Sequence, residues 1–299
     1  MKKGLLVFLI LAASCALFAG GAKEAALGSE ENPIVWSFVP SGEMERVSAG
    51  AQEVADLLHA ETGYYFSTNV ATEYVGVIEA MSSKPPKAHM ASLATFAYIM
   101  AADRGVADAA LVSVRYGSPT YNGQFITQRD SGIRSIKDFA GKTFARVDPL
   151  STSGWIIPMI EMRAVGIDPE RDLKSVVDAG SHDTVVSAVY NREADVGATY
   201  VDARTRLEKT YPDVMDKVVV IGVTTDIPND GVQFHPAVPA EMRDKIVDAL
   251  LKIVKTEKGK EALNTAYQWD DLAAHGDEFY DPFRQVLQAA GLKAQELME

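Results

Sequence analysis

Cysteine is almost absent from this chain, which has 299 residues and a single cysteine, Cys15. One cysteine cannot form a disulfide within the chain, so the folded part depends on its hydrophobic core for stability. The apolar fraction of 47% is typical of a globular protein. The length exceeds that of one small domain and is typical of two lobes.

An excess of basic residues is also absent, since the formal net charge is −12 at pH 7. The sequence contains no basic stripe, and we therefore do not expect nucleic acid as a partner. An acidic protein does not attract anions through its overall field. Any anion that it binds must be held by local groups.

Motifs for catalysis and for metal binding are missing as well. Ser151 has no Gly-x-Ser-x-Gly elbow around it, and Gly141-Lys142-Thr143 lacks the upstream glycine of a phosphate-binding P-loop. We expect a binding protein rather than an enzyme, with no metal and no other cofactor. An exported hydrolase with His182 as general base is an alternative, which requires a nucleophile within about 3 Å of that ring. Metal-ligand spacing is not found among the five scattered histidines, which are His59, His89, His182, His235 and His275.

The sequence has no apolar run long enough for a comfortable membrane span, which needs about 20 residues. A shorter apolar run follows Lys2 and Lys3 and continues to Ala19, which predicts a secretory signal peptide over residues 1–19. Its cleavage position stays open. Ala12-Ala13-Ser14-Cys15 resembles a lipoprotein box with lipidation at Cys15, whereas Phe18-Ala19-Gly20 resembles an ordinary cleavage site.

We therefore expect an exported protein, either periplasmic or anchored as a lipoprotein that faces the periplasm. Residues 20–32 lack apolar periodicity, which predicts a flexible tether. From Pro33 onward, segments with strand and helix patterns alternate, and this predicts an α/β fold with parallel sheets.

The order of these segments predicts two lobes. Residues 33–126 and 225–299 form lobe 1 and residues 127–224 form lobe 2, with crossings near 126 and 224. The chain after Phe234 is expected to be helical to the end, with helices over 239–255, 257–267 and 276–290. Two such lobes enclose a cleft, and ligands favour clefts of this kind.

Two segments of lobe 2 place polar residues between a strand and a helix. Ser151-Thr152-Ser153-Gly154 offers three hydroxyls and unpaired backbone amides at a helix start, a combination suited to an oxyanion. An ordinary helix cap is the alternative. Gly180-Ser181-His182-Asp183 repeats the arrangement, and here the alternative is a surface histidine near a cap.

These segments resemble the periplasmic phosphate, phosphite and phosphonate-binding proteins of ATP-binding-cassette (ABC) importers. The resemblance rests on DPLSTSGWIIP (148–158), AGSHDTVVSAVYNREADVGATYVDA (179–203) and IPNDGVQF (227–234), and it extends over residues 33–290. It implies a type II periplasmic binding fold, in which two crossing strands join the lobes. It also implies that Ser151, Thr152, Ser153 and His182 hold the oxyanion.

The resemblance implies further site residues. Tyr74 would donate from the opposite lobe, and Thr95 and Tyr98 would line the cleft, although Leu93-Ala94 replaces the family's Gly-Pro ahead of them. Asp202 and Asp230 match two carboxylates that hold the ammonium group of aminoalkylphosphonates. A helix N-cap for Asp202 and an Asx turn for Asp230 are the alternatives.

The function that follows is capture of phosphonate, phosphite or phosphate in the cleft. The expected partners are this small ligand and an ABC permease in the inner membrane, and the protein is expected to be a monomer. The alternative is a binding protein of the same fold for another small organic anion. Aromatic residues that could line such a site are Trp36, Tyr116 and Tyr121.

Overall fold

The computed structural model describes residues 25–293, and within them the chain folds as an α/β protein with two sheets. Cys15 and the predicted signal peptide lie outside the described residues. This part of the chain forms eleven strands: β1 Ile34–Phe38, β2 Phe66–Val70, β3 Met90–Ser92, β4 Asp108–Val114, β5 Thr120–Gln128, β6 Thr143–Arg146, β7 Ser175–Asp178, β8 Val196–Tyr200, β9 Val218–Pro228, β10 Gly231–Phe234 and β11 Asp271–Ala274.

Helices connect the strands and cover the sheets. In the same part of the chain they are α1 Met44–Thr62, α2 Tyr74–Ser82, α3 Thr95–Asp103, α4 Ile157–Ala164, α5 Pro169–Asp172, α6 His182–Tyr190, α7 Val214–Lys217, α8 Ala240–Ile253, α9 Glu257–Tyr267 and α10 Asp281–Ala289. The predicted α/β class and the three predicted C-terminal helices are confirmed.

The first lobe is built on a six-stranded sheet in the order β2-β1-β3-β10-β4-β11. Strand β1 runs parallel to β2 and β3, whereas β10 runs antiparallel to β3 and β4, and β11 antiparallel to β4. The sheet is therefore mixed, and the prediction of a parallel sheet is wrong for its far half. Strand β11 belongs to the segment predicted as helical, and β10 lies just before that segment where no strand was predicted. Both strands pair with distant parts of the chain.

Helix α1 packs against α9 at close range on the outside of this sheet. A Cβ atom on Gly50 would lie 2.5 Å from the backbone nitrogen of Ala266, so the two helices approach each other through this glycine. The C-terminal helices thereby return to the first lobe, as the sequence predicts.

The second lobe has a five-stranded sheet in the order β7-β6-β8-β5-β9. Strands β6, β7 and β8 are parallel, while β5 runs antiparallel to both β8 and β9. Strand β5 pairs with β9 from Thr120 opposite Pro228 to Gln128 opposite Val218. These two strands carry the chain into and out of the lobe.

Two short segments join the lobes, residues 115–119 between β4 and β5 and residues 229–230 between β9 and β10. The predicted crossings near 126 and 224 fall inside β5 and β9. No strand was predicted over the residues of β5, so the crossings were placed too far into the second lobe. Asn229 is fully buried between the segments, and its Nδ2 donates to the carbonyls of Ser113 and Ser118.

Residues 25–32 form hydrogen-bonded turns on the first lobe. The carbonyl of Gly28 accepts a hydrogen bond from the amide of Tyr65 at 2.9 Å, and Leu27 packs against the core. The predicted flexible tether is therefore wrong for these residues. Short polar segments of this kind have no periodic pattern that would reveal such docking in the sequence. Among residues 25–293, no helix is long and apolar enough to cross a membrane.

Candidate functional site

A cavity lies between the two lobes, next to the segments that join them. Within it, about 40 Å³ can be occupied by the centre of a water-sized molecule. Of the predicted site residues, those that line it are Tyr74, Ser151, Thr152, Ser153, His182 and Asp230.

The Ser-Thr-Ser segment forms a π-helical turn over Thr152–Ile156, and α4 follows directly. Ser151 caps the turn by accepting a hydrogen bond from the amide of Gly154. A Cβ atom on Gly154 would lie 2.5 Å from Val147, so glycine lets the turn pack onto the end of β6 rather than onto a ligand. Pro158 stands in the first turn of α4, where its missing N–H is tolerated.

The three hydroxyls of this turn are buried and face the cavity. Thr152 Oγ1 accepts a hydrogen bond of 2.9 Å from the amide of Phe96 in the opposite lobe. Ser151 and Thr152 thus both accept hydrogen bonds from backbone amides, and the Ser151 hydroxyl also forms a hydrogen bond with the side chain of Tyr74. The turn can therefore present several donors to an oxyanion.

His182 is the first residue of α6, and Ser181 caps this helix through the amide of Thr184. The side chain is 96% buried by surface area, and Nδ1 has no hydrogen-bond partner among the described residues. Burial lowers the pKa of His182 to about 3, and the positive charge of Arg115 adds to the decrease. The ring is therefore neutral, with one N–H available for donation.

Tyrosines complete the donor set. Tyr74 begins α2 in the first lobe, and Tyr121 and Tyr200 come from β5 and β8 in the second. Burial raises the pKa of Tyr74 well above 10, and it raises the pKa of both Tyr121 and Tyr200 to about 12. The phenols therefore stay protonated and can donate to an anion.

Asp230 faces the cavity, but it is already paired. The Arg115 guanidinium lies 2.7 Å from its carboxylate, and Ser113 Oγ donates to it at 3.0 Å. Trp269 Nε1 donates to the same carboxylate at 3.3 Å. An ammonium group at this position would have to compete with Arg115.

Three predicted site residues do not line the cavity. Asp202 caps a 3₁₀ turn over 203–207 and forms an ion pair with Arg204 at 2.5 Å, so the structure supports its alternative assignment as a helix cap. Thr95 donates to the carbonyl of Pro228, and Tyr98 donates to Asp277 on the far side of α3. All three are held by partners within the protein, which the resemblance could not reveal.

Carboxylates of the second lobe contact helix starts of the first lobe on both sides of the cavity. Asp148 Oδ2 accepts a hydrogen bond of 3.0 Å from the amide of Tyr74. Asp183 Oδ2 accepts from the amide of Glu43 at 3.0 Å and from Arg46 at 2.9 Å. Carboxylates are favoured at helix N-termini, so these contacts stabilise the closed arrangement of the lobes.

Several residues in or beside the cavity were not identified from the sequence. Asp148 and Asp183 stand at the edges of the two polar segments, and this position could have identified them as site residues. Arg115 follows an apolar strand just before a crossing, and that position could have identified it in the same way. Tyr121 was considered for an organic anion and does line the cavity, whereas Trp36 is in the core and Tyr116 is 78% exposed.

The geometry is that of a two-lobed α/β binding protein. Its cleft lies beside the segments that join the lobes and is lined by hydrogen-bond donors suited to an oxyanion. Comparison with known sequences agrees with this class. The family described as "ABC transporter, phosphonate, periplasmic substrate-binding protein" matches residues 36–280. The chain belongs to this family, which confirms the predicted resemblance and the expectation of a binding protein rather than an enzyme.

Two curated relatives are 29% identical to the chain. One is the phosphonates-binding periplasmic protein of Escherichia coli, aligned over 221 residues, which are 72% of this chain and 64% of that protein. The other is the phosphate-import protein PhnD of Mycolicibacterium smegmatis, aligned over 219 residues, which are 69% of this chain and 66% of that protein. The chain thus spans just under two thirds of the length of each.

Solved structures show the same fold. A binding protein component of an ABC phosphonate transporter from Pseudomonas aeruginosa is 26% identical, with a TM-score of 0.79 and 87% coverage of both chains. PhnD1 of Prochlorococcus marinus, in complex with methylphosphonate, has a TM-score of 0.76 at 12% identity and covers 86% of this chain and 98% of that one. The second likeness is evidence for the fold alone. The predicted type II periplasmic binding fold is therefore confirmed.

Replacing His182 by Gln is expected to reduce the acid sensitivity of the protein. The unfolded chain binds a proton at this residue near pH 6.5 and the folded chain only near 3, so the folded state loses stability as the pH falls between these values. At about pH 4.5 the loss from His182 is roughly 2–3 kcal/mol. Urea unfolding at about pH 7.5 and 4.5 measures it, with the exposed His59→Gln variant as control. Equal losses of unfolding free energy between these two pH values in the wild type and in His182→Gln would contradict the assignment of the acid sensitivity to His182.

Asp183→Asn is expected to weaken closure of the lobes. The change leaves Arg46 without its charged partner across the cleft, and a hydrogen bond to a charged group contributes about 1.5–3 kcal/mol, so open forms should be more populated. Small-angle scattering should show this as a larger radius of gyration for the ligand-free variant than for the wild type. Asp130→Asn is the matched control, because the Asp130–Arg192 pair lies on the surface of the second lobe. Equal behaviour of the two variants would refute a role of Asp183 in closure.

Proposed function

We propose that this protein captures a phosphonate, or a related phosphorus oxyanion such as phosphate or phosphite, for an ABC importer. The observation that carries the proposal is the buried donor set around one cavity, which includes Ser151, Thr152, Ser153 and His182, whose Nδ1 has no hydrogen-bond partner among residues 25–293. Buried polar groups need partners, and an oxyanion with several acceptor oxygens supplies them.

Neutral donors suit this task in a protein of net charge −12. A tetrahedral oxyanion accepts several hydrogen bonds at once, and the hydroxyls of the Ser-Thr-Ser turn rotate to meet it. The phenols of Tyr74, Tyr121 and Tyr200 remain protonated because their pKa values are raised. The first lobe contributes Tyr74, so full coordination requires the closed arrangement.

The protein would then deliver its ligand to a permease in the inner membrane, acting as an exported monomer with no affinity for nucleic acid. Family membership and the acidic charge support this role. Anchoring through a lipid on Cys15 is part of the proposal, and the Ala12-Ala13-Ser14-Cys15 box supports it.

Lipidation predicts a change of compartment. Wild-type protein expressed in a Gram-negative host should sediment with membranes and dissolve in detergent, while Cys15→Ser should appear in the soluble periplasmic extract. Cell fractionation with immunodetection measures both. A wild-type protein that is already soluble would exclude the anchor, while the proposed ligand would be unaffected.

Ligand identity is tested by calorimetric titration of the ligand-stripped protein with phosphate, phosphite, methylphosphonate and 2-aminoethylphosphonate. Binding of at least one of them is expected. Ser153→Ala should weaken that binding by about 1–3 kcal/mol, because an oxygen of the ligand loses its donor in a buried site. Ser175→Ala, an exposed serine on β7, serves as control. No binding across the panel would favour the alternative, another small organic anion.

A further inference from the structure

Positive charge is concentrated around the cavity, although the protein as a whole is acidic. Among residues 25–293, the arginines that line the cavity are Arg46, Arg115 and Arg206, and the one carboxylate that lines it is that of Asp230. The Asp183 carboxylate has the largest charge effect on the pKa of Tyr200, and all three arginines act in the opposite direction. Tyr200 therefore lies among three guanidinium groups and one carboxylate.

Two of these arginines already have partners. Arg46 forms an ion pair with Asp183 at 2.9 Å and also donates to the carbonyl of Thr265. Arg115 pairs with Asp230 at 2.7 Å and donates to the side chain of Asn229. The charges of these two guanidinium groups are compensated within the protein.

Arg206 differs from these two arginines in its partners. No carboxylate pairs with it among residues 25–293, and its Nη2 donates to the carbonyl of Asn264 in the opposite lobe at 2.8 Å. Its Nε is buried and has no hydrogen-bond partner within the same part of the chain. Burial lowers the pKa of Arg206, with Tyr200 and the Asp183 carboxylate opposing the decrease and Arg46 adding to it. An arginine nevertheless stays charged, so a partly buried cation faces the cavity, and the carboxylate that acts on it, that of Asp183, is already paired with Arg46.

This arrangement disfavours an ammonium group on the ligand. Asp230 is paired with Arg115, and Asp202 lies outside the cavity with Arg204. An ammonium group would therefore stand near three guanidinium groups, while the two carboxylates beside them, those of Asp183 and Asp230, are already paired with arginines. A second acidic group would instead compensate Arg206, since guanidinium binds carboxylate and phosphoryl oxygens with two parallel hydrogen bonds.

The positions fit a ligand with two acidic ends. The Ser-Thr-Ser turn and His182 offer neutral donors for one end. The ring of Tyr200 lies 4.7 Å from that of His182, and Tyr200 forms a side-chain hydrogen bond with Arg206. Arg206 is therefore adjacent to the donor set, on the side of Tyr200.

We propose that the ligand is an organophosphonate or organophosphate with a second acidic group, which Arg206 binds. This inference rests on the proposed function and narrows the class of ligand. It also changes the expectation for Asp202 and Asp230, which on this account do not hold an ammonium group.

The test compares acids with neutral molecules of the same shape. Phosphonoacetate is paired with isobutylphosphonate, and 3-phosphonopropionate with 3-methylbutylphosphonate, by calorimetric titration of the mature protein. At least one acid should bind ten times more tightly than its neutral counterpart, and more tightly than 2-aminoethylphosphonate. Arg206→Gln should weaken binding of that acid at least tenfold and of the neutral molecule less than threefold. Arg129→Gln, an exposed arginine of the second lobe, is the control.

The possible failures are distinguishable. Equal affinity for acid and neutral molecule, or equal weakening of both by Arg206→Gln, would overturn the assignment of Arg206 while leaving phosphonate capture intact. No binding of any phosphorus compound, methylphosphonate included, would overturn the proposed function itself. If Arg206→Gln does not fold, the wild-type comparison of acid with neutral molecule still decides.

Discussion

The closed form of this protein depends on carboxylates of one lobe that bind helix starts of the other. Asp148 accepts a hydrogen bond from the amide of Tyr74. Asp183 accepts hydrogen bonds from the amide of Glu43 and from the guanidinium of Arg46. Both carboxylates flank the polar segments that line the cavity. The contacts that bring the lobes together therefore also bring Tyr74 and Arg46 to the ligand, and closure and site assembly are one event.

Burial gives the cavity its chemistry. It keeps His182 neutral and the phenols protonated, so that most groups around the ligand are uncharged donors. Desolvated donors bind an anion more strongly than solvated ones because water no longer competes. An acidic protein can in this way hold an anion without any long-range attraction, and the partly buried guanidinium of Arg206 adds a charge that salt screens less than a charge on the surface.

The sequence was informative where function depends on local structure. The Ser-Thr-Ser turn and His182 are recognisable because cap residues and a helix start lie within a few positions of each other. Strands β10 and β11 were not predicted, since their pairing joins residues more than 100 positions apart. Asp202 was assigned by resemblance, but its partner Arg204 stands two residues away and could have been considered. Arg206 gave no signal, because its place in the cavity depends on how the two lobes meet.

Arg115 has a double attachment that bears on how the protein releases its ligand. Its guanidinium binds Asp230 in the cavity wall, and it also donates to Asn229, the buried residue that joins both connecting segments. The two attachments link the wall of the cavity to the backbone of the connecting segments. Any rotation of the backbone in these segments would therefore also displace the Asp230 carboxylate that faces the cavity.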